Sequence, residues 1–270
     1  MSEGPASISG MDITTSADGT AIAYGARGEG PAIVIVNGAF STAGDSGGLA
    51  ASLADAGFRA ISYDRRARGG SGDTRPFARE REAEDLAAVI TAAGGVAATI
   101  GHSSGAVLAL YATSLDVPTG RLFLSEPPFH FGEDEPAADL PQRLQALVDG
   151  GRPADAVTAF QLEGVGLPAQ MVEQIRSSPL FDALLPLAQS TVYDATLTRD
   201  VSTPTESMRA VAAPMTILCG VETFPFLRAA SQRLADAIPA AELVEVPESV
   251  GHRLDPDATT RLVAARLASD

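Results

Sequence analysis

The sequence predicts an α/β chain, a doubly wound and mostly parallel sheet carrying a helical cap insertion. Three observations carry that expectation. Residues 32–36, Ala32-Ile33-Val34-Ile35-Val36, are a continuous β-branched run of the kind found in strands buried on both faces. Further short apolar runs follow at 58–63, 96–100, 122–125, 215–219 and 242–246, with helix-like segments between them, which is the β-α-β-α alternation of a parallel sheet. A composition of 45% hydrophobic and 20% charged residues over 270 positions supplies enough apolar material for one full α/β core.

Taken in order, residues 1–10 read as a disordered lead, because Met1 to Ser7 carry neither the positive n-region nor the apolar h-region of a signal peptide. Residues 11–15 and 20–24 form a hairpin around Ala17-Asp18-Gly19. The breaker Gly28-Glu29-Gly30-Pro31 then releases the chain into the strand at 32–36. Residues 79–93 place Ala83, Leu86, Ala87 and Ile90 at helical spacing, one apolar stripe on a charged helix that packs on the sheet. The interval from 126 to 214 far exceeds the roughly 10–12 residues of a minimal crossover. It holds helix-like segments at 140–147 and 171–175 broken by Pro153, Pro168, Pro179 and Pro186. Residues 127–203 are therefore expected to form a helical cap, and 11–126 with 204–270 the core.

A formal charge of -15 with no basic run repels phosphate backbones and anionic lipid, so nucleic acid and membrane partners are not expected. No stretch approaches the ~20 apolar residues of a membrane span. The single Cys219 excludes an intrachain disulfide, and cytoplasmic residence is the expectation. Three histidines and one cysteine offer no ligand cluster at familiar spacing, so neither a metal nor an organic cofactor is expected.

The chemistry centres on Gly101-His102-Ser103-Ser104-Gly105, which lies between a strand-like and a helix-like run. That context makes it a nucleophile elbow, a tight turn whose flanking glycines leave room for a strained backbone, with Ser103 as the nucleophile. Chain topology returns His252, in the loop after the last strand, to the same sheet edge, where it serves as general base. His102 is expected to point away from Ser103 and pack against neighbouring loops, and His130 to line the surface or a pocket. The acid that must orient the base is either Glu126, at the end of the strand 122–125, or Glu222, after the strand 215–219. Pro127 favours Glu126 by directing it toward an extended backbone. Oxyanion donors are expected from Gly38, Ala39 and Ser104, in the loop after the strand 32–36 and immediately after the nucleophile. Arg65, Arg66 and Arg68 are read as exposed structural partners of Asp64 and Asp73. Phe129, Phe131, Phe181, Leu184 and Tyr193 are read chiefly as cap core, with a share in a hydrophobic pocket.

These signatures together resemble the α/β-hydrolase fold, in its serine hydrolase branch. The resemblance rests on Asn37-Gly38-Ala39, on Tyr63-Asp64-Arg65-Arg66-Ala67-Arg68-Gly69-Gly70-Ser71-Gly72, on the elbow, and on Gly251-His252. The chain departs from the usual family pattern at Thr223, where most members carry an acid, and that departure shifts the expectation to Glu126. Esterases and lactonases such as zearalenone lactonase are similar at the elbow and in a Glu-Pro turn, and the similarity implies Glu126 as the third member. The resemblance implies hydrolysis of a small hydrophobic carboxylic ester or lactone through an acyl-enzyme. Carbon–carbon bond hydrolysis, cofactor-free perhydrolysis and a non-catalytic ligand-binding role are the alternatives the same residues allow. An aspartate-dependent epoxide hydrolase or dehalogenase is excluded by the serine at the elbow.

Overall fold

The computed structural model describes residues 10–269, and all of the expected lead except Gly10 lies outside them. The chain runs β1 (Asp12–Thr15), β2 (Ala21–Arg27), β3 (Ala32–Val36), α1 (Gly47–Asp55), β4 (Arg59–Tyr63), α2 (Arg79–Ala92), β5 (Ala98–His102), α3 (Ser104–Thr113) and β6 (Leu122–Ser125). The helices α4 (Leu140–Asp149), α5 (Pro153–Ala159), α6 (Ala169–Arg176), α7 (Leu180–Leu184), α8 (Ala188–Asp200) and α9 (Glu206–Arg209) follow without an intervening strand. The chain closes with β7 (Met215–Glu222), α10 (Pro225–Ala237), β8 (Ala241–Val250) and α11 (Pro256–Leu267).

The strands form one eight-stranded sheet in the order β1-β2-β4-β3-β5-β6-β7-β8, in which β1/β2 and β2/β4 are antiparallel and all other pairs parallel. The opening hairpin turns where Asp18 accepts a hydrogen bond from the Thr20 amide at 3.0 Å. Strand β3 shows why the sheet is wound on both faces. Its period-two alternation sends Val34 and Val36 into a core with Leu86 and Val89 of α2 and Val107 of α3, and Ile33 and Ile35 into a second core with Leu49 and Leu53 of α1 and Val263 of α11. Helix α3 is buried all round from Ser104 to Ala112, which is what a central core helix requires.

The insertion after β6 has a third core of its own, in which Leu140, Leu144, Val157, Phe160 and Tyr193 meet. Ala39, Phe40, Ala67 and Phe77, from the loops after β3 and β4, pack against it, so this helical layer sits over the C-terminal edge of the sheet. Phe77 stacks on Tyr193 with ring centroids 3.9 Å apart.

Some strand limits differ from the sequence expectation. Strand β5 begins at Ala98 and not at Val96, which is 64% exposed, and it runs on through Gly101 and His102. Strand β8 continues to Val250, past Glu245, Pro247 and Glu248, because as an edge strand it tolerates charge and proline on its open side. Among the described residues no helix is long and apolar enough to cross a membrane.

Candidate active site

The turn between β5 and α3 places Ser103 at φ 53°, ψ -125°, a positive φ rare for a residue with a side chain. Its two glycines are steric necessities. A Cβ on Gly101 would lie 2.5 Å from Ala106 Cα, and one on Gly105 would lie 2.1 Å from the Val36 carbonyl oxygen. The turn is tied down by the Ser103 amide, which donates to Ser125 O at 2.9 Å. Ser104 begins α3, so its amide belongs to the first turn, whose N–H groups have no intrahelical partner and lie at the positive end of the helix dipole.

His252 and Glu126 come together from the ends of β8 and β6. The His252 Nδ1–H donates to Glu126 Oε2 at 2.5 Å, and the Gly220 amide donates to Glu126 Oε1 at 2.9 Å. Burial alone would push the Glu126 carboxyl up, but the hydrogen bonds from His252 and Gly220 outweigh it and hold it below the usual carboxylate range. Glu126 does not take the extended backbone that Pro127 suggested: its φ is 47°, and its direction is fixed instead by the two side-chain bonds and by its amide on Leu218 O at 3.0 Å. The Glu222 side chain is exposed at the end of β7, and its carbonyl accepts from the Gly251 amide at 2.8 Å. His102 lays its ring 4.6 Å from that of His252, with Nδ1 3.3 Å from Ser125 Oγ. Burial, reinforced by the neighbouring His252, pushes its pKa down to about 3.

Opposite Ser103 stands the loop after β3. A Cβ on Gly38 would lie 2.9 Å from Ser103 Cβ, so only glycine allows this approach. Phe40 follows at φ 57°. The arginines behind this loop are buried, not exposed, and their acids are not the expected ones. Arg65 pairs with Glu82 at 2.7 Å and Asp194 at 2.9 Å, Arg66 with Asp85 at 2.7 Å and Asp18 at 3.0 Å, and Arg68 with Asp194 at 2.6 Å. Asp64 instead accepts the Ala43 and Gly70 amides, and Asp73 the Tyr193 hydroxyl. Asp194 is fully buried on α8, and the Ser104 hydroxyl donates to its Oδ1 at 2.7 Å. Burial would raise its pKa, but the Arg68 and Arg65 charges hold it below the usual range.

Ser103, His252, Ala39 and Ser104 line one small cavity of about 50 Å³ together with Phe160 and Thr198. A wider cavity of about 510 Å³ adjoins it, sharing His130, Gly164, Val165 and Phe226 as a common wall. Residues 160–164 form a π-helical turn that carries Gly164 into this common wall and Phe160 into the lining of the small cavity. Phe131, Phe181, Leu184 and Tyr193 do not line either cavity, whereas Phe129 lines the wider one. Phe160, Val165, Phe226 and Asp194 were not singled out from the sequence; the signal for Asp194 was the presence of three arginines in one loop of an acidic chain, which demands buried counterions. Among the described residues no group of three or more His, Cys, Asp or Glu is arranged to hold a metal ion.

Comparison with known proteins agrees with this architecture. A model of the alpha/beta hydrolase family matches residues 33–265. The crystal structure of an alpha/beta hydrolase from Sphaerobacter thermophilus DSM 20745 is 40% identical, covers 95% of this chain and all (100%) of its own, and superposes with a TM-score of 0.88. An enol-lactonase from Burkholderia xenovorans LB400 (20% identity, 95% of this chain and 100% of its own, TM-score 0.68) shares the fold. So does a meta-cleavage product hydrolase from Pseudomonas fluorescens IP01 (16% identity, 96% and 98%, TM-score 0.63). No curated protein matches the chain in sequence.

Proposed function

Because the chain belongs to the alpha/beta hydrolase family, we propose that it is a serine hydrolase that cleaves a small hydrophobic carboxylic ester or lactone through an acyl-enzyme on Ser103. The observation that carries this reading is the 2.5 Å contact of His252 Nδ1 with Glu126, together with the opening of Ser103 and His252 onto one cavity. With Nδ1–H held by a carboxylate, the imidazole is fixed in the tautomer whose Nε2 is a free base. His252 takes the Ser103 proton as Oγ attacks the carbonyl carbon, and Glu126 stabilises the imidazolium that forms. The negative oxygen is received by the Ser104 amide and by the Gly38 or Ala39 amide, a contribution of roughly 3–4 kcal/mol per donor. His252 then returns the proton to the leaving alcohol, and water, activated by the same base, releases the acid.

The two cavities support the substrate class. The inner one has room for the reacting carbonyl and little else, and the wider one, with Phe129 and Phe226 in its walls, accepts the hydrophobic remainder. In this reading the helices of 127–203 act as a cap, and the enol-lactonase of the same fold is in keeping with the chemistry.

Intact-mass spectrometry after fluorophosphonate treatment tests the assignment. Wild type is expected to gain one adduct, and Ser103→Ala and His252→Ala are expected to remain unmodified while Ser103→Ala keeps its circular dichroism and loses hydrolysis of every ester and lactone tried. An adduct or wild-type turnover in Ser103→Ala removes Ser103 from the role of nucleophile.

A further inference from the structure

Resting on that reading, we propose that Asp194 and Arg68 are positioning residues that aim the oxyanion donors from the cap. A trans peptide unit is planar, with its C=O and N–H pointing in opposite directions, so whatever fixes the carbonyl also fixes where the next amide points. Arg68 Nη1 donates to Gly38 O at 2.5 Å and to Ser41 O at 3.2 Å. The Gly38 carbonyl is thereby drawn into the protein, and the Ala39 N–H of the same peptide is turned the other way, toward the cavity that Ala39 shares with Ser103. One peptide earlier, Arg65 Nη1 donates to Asn37 O at 3.3 Å, which sets the Gly38 N–H in the same manner.

Both guanidiniums are held by one carboxylate. Asp194 Oδ1 meets Arg65 Nη1 at 2.9 Å and Oδ2 meets Arg68 Nη2 at 2.6 Å, while Oδ1 also accepts the hydroxyl of Ser104, whose amide is the remaining donor. The Ala39 and Ser104 donors therefore trace back to one fully buried acid on α8, while Arg65, which sets the Gly38 N–H, is shared between that acid and Glu82. Donation to a carbonyl polarises its peptide, so the Ala39 N–H becomes a stronger donor as well as a better aimed one. The positive φ of Phe40 gives the loop a reason to relax elsewhere once it is released.

The test compares Asp194→Asn, Arg68→Lys and Arg68→Met with Asp85→Asn, which breaks an equally buried ion pair that has no hydrogen bond to the elbow or to the loop after β3. Asp194→Asn and Arg68→Met are expected to lower kcat about 100-fold with KM within about twofold, the scale of a misplaced reacting group. Affinity for an alkyl boronic acid, which forms a tetrahedral adduct on the serine and fills the oxyanion site, is expected to fall by the same factor, with binding of the product acid unchanged. Arg68→Lys, which keeps the charge but loses the fork, is expected to fall between Arg68→Met and wild type. Asp85→Asn is expected to lose thermal stability with kcat retained.

A loss of kcat no greater than in Asp85→Asn at matched loss of Tm overturns the proposal, as does a rise in KM at constant kcat. If Asp194→Asn does not fold, the Arg68→Met and Arg68→Lys pair decides the question by the same criteria. A wild type that takes neither boronate nor fluorophosphonate overturns instead the nucleophile assignment on which the proposal rests.

Discussion

At the scale of the residue, the site is a set of side chains presented by unusual backbone. Ser103, Glu126, His252 and Phe40 all hold positive φ, a conformation costing of order 1–3 kcal/mol each that persists only where the surroundings over-determine it. Glu126 shows what that secures, because its two oxygens are divided between the Gly220 amide and His252. Glu126→Gln is expected to lower kcat by roughly 10³–10⁴, since an amide favours the wrong tautomer of the base. Glu222→Gln is expected to stay within a few-fold, and steady-state kinetics on one ester for both variants separates the two acids. His102 yields a prediction about stability. Its folded pKa of about 3 lies below the ordinary imidazole value of about 6.5, so between those values the unfolded chain binds more protons and stability rises with pH. The contribution is complete above 6.5 and is lost as pH falls toward 3. Thermal melts at pH 4.5 and pH 7 are expected to differ less in His102→Asn than in wild type.

At the scale of the element, the elbow and the buried parallel strands were legible because their signals are local: a β-branched run, or glycines flanking a serine. The approach of His252 was legible from topology, since a loop following the last parallel strand returns to the edge where the elbow stands. The carboxylate that meets His252 was legible only as a choice between Glu126 and Glu222, because the sequence does not reveal which side chain turns inward. Helix α8 shows what local pattern conceals. Its buried positions include Ser190, Thr191 and Asp194, polar residues whose burial depends on partners distant in the chain or on the helix's own backbone. Arg65 and Asp194 meet from opposite ends of a long intervening chain, so adjacent Asp64 and Asp73 were the natural but incorrect partners for the arginines. The pair Arg66–Asp85 ties α2 to the loop after β4 by a fork of 2.7 and 2.8 Å bonds between groups almost wholly out of water. Asp85→Ala is expected to cost about 3 kcal/mol, because it leaves a buried guanidinium with Asp18 as its remaining counterion, and urea unfolding monitored by circular dichroism measures it.

At the scale of the whole molecule, the charge of -15 gives the chain a field that acts on substrates before they reach the site. Between about 10 and 300 mM salt, kcat/KM for a cationic ester is expected to fall several-fold, while that for a neutral ester of equal size stays constant. Stopped-assay rates at a series of salt concentrations decide this, and equal dependence for the two esters counts against steering.

The shared carboxylate of Asp194 also limits how this molecule can be recombined. Its helical layer resembles a detachable module, encoded in one continuous stretch between two strands of the sheet. Chimeras that transplant such a layer from a relative would bring new walls for the wider cavity and leave the sheet intact. Yet the host would retain Arg65, still forked to Glu82, beside Arg68 in a dry interior, and Arg68 would await an anion that the transplanted helix must deliver. A graft is compatible with this scaffold when the donor supplies an acid at that place, or when Arg68 is exchanged along with it.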